Sequence, residues 1–289
     1  MLRLTNRAPA KVNLTLRVLR RRSDGFHELA SLVAFAAVGD DLALNPGSAL
    51  ELTISGPTAM STGPDADNLV LVAARALAER IERLKLGRFE LVKRLPVGAG
   101  LGGGSSDAAA ALRLIAQAND LAPDDPRLLD AAWATGADVP VCLEAKARLM
   151  HGVGEKLSSP IELPKLPAVI VYPGVPVATA SVFRALELVP GNRREKPYSE
   201  GDIPKERAAL YEFLANEAND LERAARSQVP VIAAAQECLN DTNGVRLIRM
   251  SGSGSGLFGL YDSAEEAEEA AGEIRAGRPD WWVVATILA

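Results

Sequence analysis

A chain of 289 residues, 48% apolar and 24% charged, has an ordinary globular composition; it is neither disordered nor fibrous, and its length allows one large domain or two modest ones. The 32 basic residues stand against 37 acidic ones, and a formal net charge of −5 repels nucleic acid on average, so no nucleic-acid partner is expected. Two cysteines and two histidines exclude a disulfide framework, a thiolate zinc site and a multi-histidine metal centre, and no apolar run approaches the ~20 residues of a membrane span. The first ten residues carry no secretory apolar segment, which leads us to expect a reduced, cytoplasmic compartment.

Along the chain, Val12, Leu14, Leu16 and Val18 alternate with Lys11, Asn13, Thr15 and Arg17, which predicts a half-buried strand whose polar face carries Lys11 and Asn13. Arg20 to Gly25 reads as a solvated turn before Phe26 and His27. Residues 41–55 read as a strand pair interrupted at Asn45-Pro46-Gly47. Asp67 or Asn68 caps a predicted helix to about Leu84, and a short strand at 89–92 ends at Lys93-Arg94-Leu95-Pro96. A glycine-rich stretch follows, then an alanine-rich helix from Ala108 to about Ala118, with Ser105, Ser106 or Asp107 as its cap. Another helix runs from Pro126 to Ala134 and stops at Gly136, before Asp138-Val139-Pro140. Beyond residue 152 the texture changes: 157–178 is rich in proline and β-formers, and 191–204 is polar and loop-like. Helices at 206–217 and 229–239 precede two strands around a Ser251–Gly256 turn, an acidic helix capped by Ser263, and a closing strand. That β-β-α-β order is half of a ferredoxin-like unit, and the domain boundary is expected near 152–160.

The glycine stretch decides the chemistry. Five glycines within 98–104 enter a helix, and a plain strand-to-helix turn needs only one, because each further glycine costs backbone entropy. Unpaired helix amides and a partial positive charge make such a segment a phosphate cradle. Gly98-x-Gly100-x-x-Gly103 fits the dinucleotide pattern literally. Its context fails, since a helix and not a second strand leads to Asp120. The Walker pattern fails as well, because Gly103 is followed by Gly104-Ser105 and not by lysine. This leaves a phosphate loop without its own lysine.

Pro96-Val97-Gly98-Ala99-Gly100-Leu101-Gly102-Gly103-Gly104-Ser105-Ser106 resembles the nucleotide loop of the GHMP small-molecule kinases. Ala8-Pro9-Ala10-Lys11-Val12-Asn13-Leu14 and Ser251-Gly252-Ser253-Gly254-Ser255-Gly256 resemble that family's other two motifs, in the family's order. The resemblance implies an α+β, two-lobed fold: an N-terminal ATP-binding lobe over 1–155, similar to domain 2 of ribosomal protein S5, and a ferredoxin-like C-terminal lobe over 156–289, with ATP and substrate meeting between them. Further segments, Asp24-Gly25-Phe26-His27, Gly136-Ala137-Asp138-Val139-Pro140 and Pro173-Gly174-Val175, narrow it to kinases whose alcohol carries a cytidine diphosphate. The implied reaction moves the ATP γ-phosphate to the tertiary 2-hydroxyl of a methylerythritol unit. Homoserine or mevalonate as the acceptor, or a regulator that binds nucleotide without chemistry, stand as alternatives.

The resemblance also distributes roles. Asp138 would accept the hydroxyl proton, whereas its bland reading is an Asx-turn, and Lys11 would orient that carboxylate, whereas its bland reading is a solvated strand lysine. Residues 96–106 would hold the phosphates, with Asn68 at the adenine unless it serves only as a helix cap. Phe26 and His27 would read cytosine, Phe183 would stack on its second face, and Thr179 and Asn13 would make polar substrate contacts; for Phe183 the bland reading is core packing. Mg²⁺ should accompany ATP, with the Ser106 hydroxyl as a possible ligand and no other protein ligand identified.

Overall fold

The computed structural model describes residues 3–62, 67–191 and 197–289, so Asn192 to Lys196 of the polar 191–204 tract lie outside the described residues. Two compact units are assembled from interleaved stretches of chain. Residues 1–11, 38–97 and 102–145 form one; residues 12–37, 98–101 and 146–289 form the other. The chain thus passes from one unit to the other several times, where the sequence suggested a single boundary.

In the first unit, β1 (Leu4–Asn13) contributes its residues up to Lys11, and β3 (His27–Gly47) contributes its second half. β3 pairs antiparallel with β5 (Leu86–Val92), from Asp41 opposite Val92 to Gly47 opposite Leu86, and β4 (Glu51–Ser55) pairs parallel with β5. β3 runs through the expected break at Asn45-Pro46-Gly47. Pro46 sits opposite Gly87 near the strand's end, where a missing N–H costs little.

Four helices complete this unit: α1 (Leu69–Ala78), α2 (Gly103–Ala118), α3 (Pro126–Thr135) and α4 (Val139–Cys142). Asn68 caps α1 by accepting from the Val70 amide at 3.0 Å. The helix stops six residues earlier than its apolar stripe suggested, where the Arg80 guanidinium donates to the Ala76 carbonyl at 2.6 Å and Arg83 turns left-handed. α2 starts five residues earlier than expected. Ser105, Ser106 and Asp107 lie inside it and none of them caps it; Gly102, left-handed at φ 62°, occupies the N-cap. Residues Ala108 to Leu112, all buried, let α2 pack closely against α1 and α3.

The second unit is built on an antiparallel sheet ordered β11-β8-β10-β9: β8 is Leu166–Tyr172, β9 Leu247–Met250, β10 Leu257–Leu260 and β11 Trp282–Leu288. β8 is buried along its whole length, as a central strand should be. Helices α8 (Val231–Asn240) and α9 (Ala264–Gly277) pack on these strands, burying Ile232, Leu239, Ala271 and Ile274, and the expected β-β-α-β order is present as β9-β10-α9-β11. β2 (Arg17–Arg21) and β6 (Arg148–Gly152) pair with the first half of β3, and the two-residue β7 (Lys156–Leu157) extends β6. Three short helices, α5 (Thr179–Arg184), α6 (Arg207–Ala215) and α7 (Glu222–Gln228), complete the unit. Periodicity misses α5 and α7, which are barely two turns long; α5 buries Val182, and the two pack on one another.

Among the described residues no helix is long and apolar enough to cross a membrane. Ser263 and Glu266 form a reciprocal capping box at the start of α9. Ser263→Ala is therefore expected to lower stability by about 1 kcal/mol in urea unfolding, and Ser263→Asp to retain most of it.

Candidate active site

Lys11 stands near the end of β1 with its side chain 5% exposed, so the strand face that looks polar in the sequence is buried at this point. A buried ammonium is tolerated only when it is paired. Its Nζ lies 3.1 Å from Oδ2 of Asp138, whose side chain remains 43% exposed. Asp138 occupies the N-cap position of α4, yet its carboxylate makes no capping hydrogen bond. The Asx-turn alternative therefore does not account for it, and the pairing expected of Lys11 and Asp138 is present. The structure packs Gly102 against the lysine stem: a Cβ there would come within 3.0 Å of Lys11 Cβ and Cε.

Gly102 also starts α2. The first helical bond runs from the Ser106 amide to the Gly102 carbonyl at 2.9 Å, and no side chain caps the preceding amides. The amides of Gly103, Gly104 and Ser105 thus keep the positive, donor-rich character that binds anions. The Ser106 hydroxyl donates to the Pro9 carbonyl at 2.6 Å, and the residue is wholly buried. Nearby Cys142 is a poor nucleophile, because burial pushes its thiol up to about 12 against the opposing effect of its hydrogen bonding with Ser106. Asn68 spends its carbonyl oxygen on the α1 cap, which leaves its amide nitrogen for other contacts.

In the second unit, Ala99 and Gly100 lie against the Ser251–Gly256 turn. The Gly256 amide donates to the Ala99 carbonyl at 2.9 Å, and the Ser251 hydroxyl donates to the Gly100 carbonyl at 3.0 Å. Gly100, at φ 73°, has no room for a side chain, since a Cβ would stand 2.5 Å from the Ser251 carbonyl oxygen. The Asn13 amide donates to the Ser251 hydroxyl at 3.1 Å, so residues from all three sequence motifs meet here. The Asn13 side chain is buried and donates to Ser31 Oγ at 2.7 Å.

His27 stacks on Phe183 with ring centroids 4.9 Å apart. Its Nε2 is buried without a hydrogen-bond partner among the described residues. Burial first, and the Arg21 charge second, hold its pKa below the usual 6.5, so the ring is neutral at pH 7 and offers one donor and one acceptor. Phe26 is 63% exposed. Thr179, at the start of α5, shares a 2.8 Å hydrogen bond with the Ser253 hydroxyl, a partner that sequence reasoning missed although Ser253 lies in a motif already singled out.

Comparison with known proteins gives the chain a family. Residues 68–146 match the model of the GHMP kinases N terminal domain, and residues 200–279 match that of the GHMP kinases C terminal domain. A 4-diphosphocytidyl-2-C-methyl-D-erythritol kinase from Xanthobacter autotrophicus is 56% identical over 98% of both chains, and one from Methylorubrum extorquens is 54% identical over 99% of both. A crystal structure of 4-(cytidine 5'-diphospho)-2C-methyl-D-erythritol kinase shares 35% identity with a TM-score of 0.77, covering 99% of each chain. A homoserine kinase from Cytophaga hutchinsonii, at 19% identity and a TM-score of 0.71 over 98% of this chain and 94% of its own, shares the fold. With both models matched in order and relatives above half identity along its length, the chain belongs to the GHMP kinases, among the 4-diphosphocytidyl-2-C-methyl-D-erythritol kinases.

Proposed function

We propose that the chain is an ATP-dependent kinase that transfers the γ-phosphate to the 2-hydroxyl of 4-diphosphocytidyl-2-C-methyl-D-erythritol, in the non-mevalonate route to isoprenoid precursors. The observation that carries the chemistry is the 3.1 Å pairing of Lys11 with a carboxylate left half open and unused by its helix. Asp138 takes the proton of the substrate hydroxyl as its oxygen bonds to the γ-phosphorus. The bond from that phosphorus to the β–γ bridging oxygen breaks, and ADP leaves with the electron pair. Lys11 holds the carboxylate in place and offsets the negative charge that develops on the attacking oxygen. Phosphoryl transfer asks little else of a protein beyond alignment and charge neutralisation.

Residues 96–106 hold the triphosphate, with the first-turn amides of α2 as donors, and the Asn68 amide nitrogen contacts adenine. His27 reads the edge of cytosine, Phe26 and Phe183 supply ring faces, and Thr179 and Asn13 add polar contacts to the substrate. Mg²⁺ bound with ATP would neutralise phosphate charge. Among the described residues no three carboxylate, imidazole or thiol groups converge to hold such an ion, and the Ser106 hydroxyl donates its proton to the Pro9 carbonyl. Phosphate oxygens and water would supply most of its ligands.

A coupled ADP-release assay tests the activity. Turnover is expected with the cytidyl substrate and not with homoserine or mevalonate; the reverse pattern would overturn the substrate assignment. Asp138→Asn is expected to lower kcat by about 10²–10⁴-fold while the KM for ATP changes less than twofold. Near-normal turnover in that variant removes Asp138 as the base. His27→Ala is expected to raise the cytidyl-substrate KM by about 5–10-fold, roughly 1 kcal/mol, with the ATP KM unmoved. Equal increases in both constants count against His27 as the cytosine reader.

A further inference from the structure

A buried cluster of three charges in the first unit has no part in the chemistry above. Lys93 follows β5 and is 3% exposed, Asp40 lies in β3 at 0%, and Asp107 lies in the second turn of α2 at 3%. Lys93 Nζ donates to Asp40 Oδ2 at 2.5 Å and to Asp107 Oδ2 at 2.7 Å. Asp40 Oδ1 accepts from the amides of Arg94 and Leu95, at 2.5 and 2.8 Å. Asp40 thereby grips the segment that leads into the glycine loop, Asp107 belongs to the helix that leaves it, and Lys93 ties the two. The same ammonium lies 3.5 Å from where a Cβ on Gly103 would be, beside the first residue of α2.

Such a cluster is an expensive way to gain stability. Each buried charge costs several kcal/mol to desolvate, and apolar residues of similar volume often do as well or better. Asp107 Oδ1 is moreover buried without a hydrogen-bond partner among the described residues. What the ion pairs supply and apolar packing does not is a directional tie between two backbone segments. Loss of that tie would fall first on the three amides at the start of α2.

We propose that Lys93 and Asp107 are positioning residues for the nucleotide: their ion pair sets the first turn of α2 against the strand that feeds the glycine loop, so that the amides of Gly103, Gly104 and Ser105 are arranged for a phosphate before ATP arrives. The inference rests on the loop being the ATP cradle. Preorganisation of this kind raises affinity by removing an ordering cost that binding would otherwise carry. The charge state is consistent with the role. Burial, joined by the charge and hydrogen bonding of Asp40, raises Asp107 to about 7 against the opposing pull of Lys93. Burial works against the Lys93 ammonium too, but the two carboxylates outweigh it and raise its pKa.

Equilibrium titration with a fluorescent ATP analogue, alongside the KM for the cytidyl substrate, tests this. Asp107→Ala leaves the Lys93–Asp40 pair intact and is expected to raise the analogue Kd about tenfold, with the cytidyl KM within twofold of wild type. Asp107→Asn is expected to restore the Kd to within twofold, since its amide oxygen still accepts from Lys93. Lys93→Met, read on the same two constants, is the second arm and should raise the Kd at least as much as Asp107→Ala, because it removes both ion pairs. An unchanged Kd in both loss variants, an Asn variant as weak as the Ala variant, or parallel rises in Kd and cytidyl KM each overturn the proposal. So does failure of both loss variants to unfold cooperatively in a thermal melt, which assigns the cluster to holding the whole unit together. A wild-type chain that binds no analogue sinks the reading of the loop as well, whereas binding by wild type with unchanged variants sinks the positioning role alone.

Discussion

The ammonium of Lys11, taken almost wholly out of water, is the constraint around which the first unit's chemistry is arranged. A lone charge in that position would shift its titration or unfold its surroundings, so a carboxylate must be delivered to it. Asp138 is that carboxylate, and the asymmetry of the pair matters: the lysine is committed and enclosed, while the aspartate keeps nearly half of its side chain exposed. A hydroxyl can therefore approach the carboxylate without disturbing the charge that holds it. The α4 N-cap position leaves the aspartate unspent, and left-handed Gly102 packs so close to the lysine stem that a Cβ there would stand 3.0 Å from it.

Helix starts in this chain divide by what covers them. Asn68, Asp125 and Ser263 place a side-chain oxygen on the amides of α1, α3 and α9. α2 has no such cover, but neither do α6 and α8, so a missing cap does not mark an anion site by itself. What separates α2 is its own N-cap: Gly102 is left-handed and carries no side chain that would cover the first-turn amides. In the second unit the same economy of side chains lets the Ser251–Gly256 turn lie directly on the backbone of Ala99 and Gly100.

Much of this was legible in linear order. Glycine density, a serine-glycine turn and a lysine-asparagine strand are local features whose physical consequences do not depend on distant residues. Ser263 with Glu266, and Asn68 before its helix, announce caps for the same reason. Other features were read wrongly or not at all. The serines and aspartate after the glycine run look like caps for α2, and they lie inside it because a left-handed Gly102 lets the helix begin earlier. Lys93 reads only as the residue that ends a short strand, and nothing in the sequence points to Asp40, more than fifty residues upstream, as its partner.

The sequence by itself determined the family and the class of chemistry, because a glycine-dense phosphate cradle has a local signature and three motifs in order carry a family resemblance, whereas Lys11 and Asp138 took their expected roles only from that resemblance. Only the tertiary structure decided which charges are enclosed and what they meet: that Lys11 is buried on Asp138, that Lys93 joins Asp40 to Asp107, and that His27 lies on Phe183. Burial and pairing are properties of chain segments brought together from far apart, and they arise from packing that no local pattern encodes.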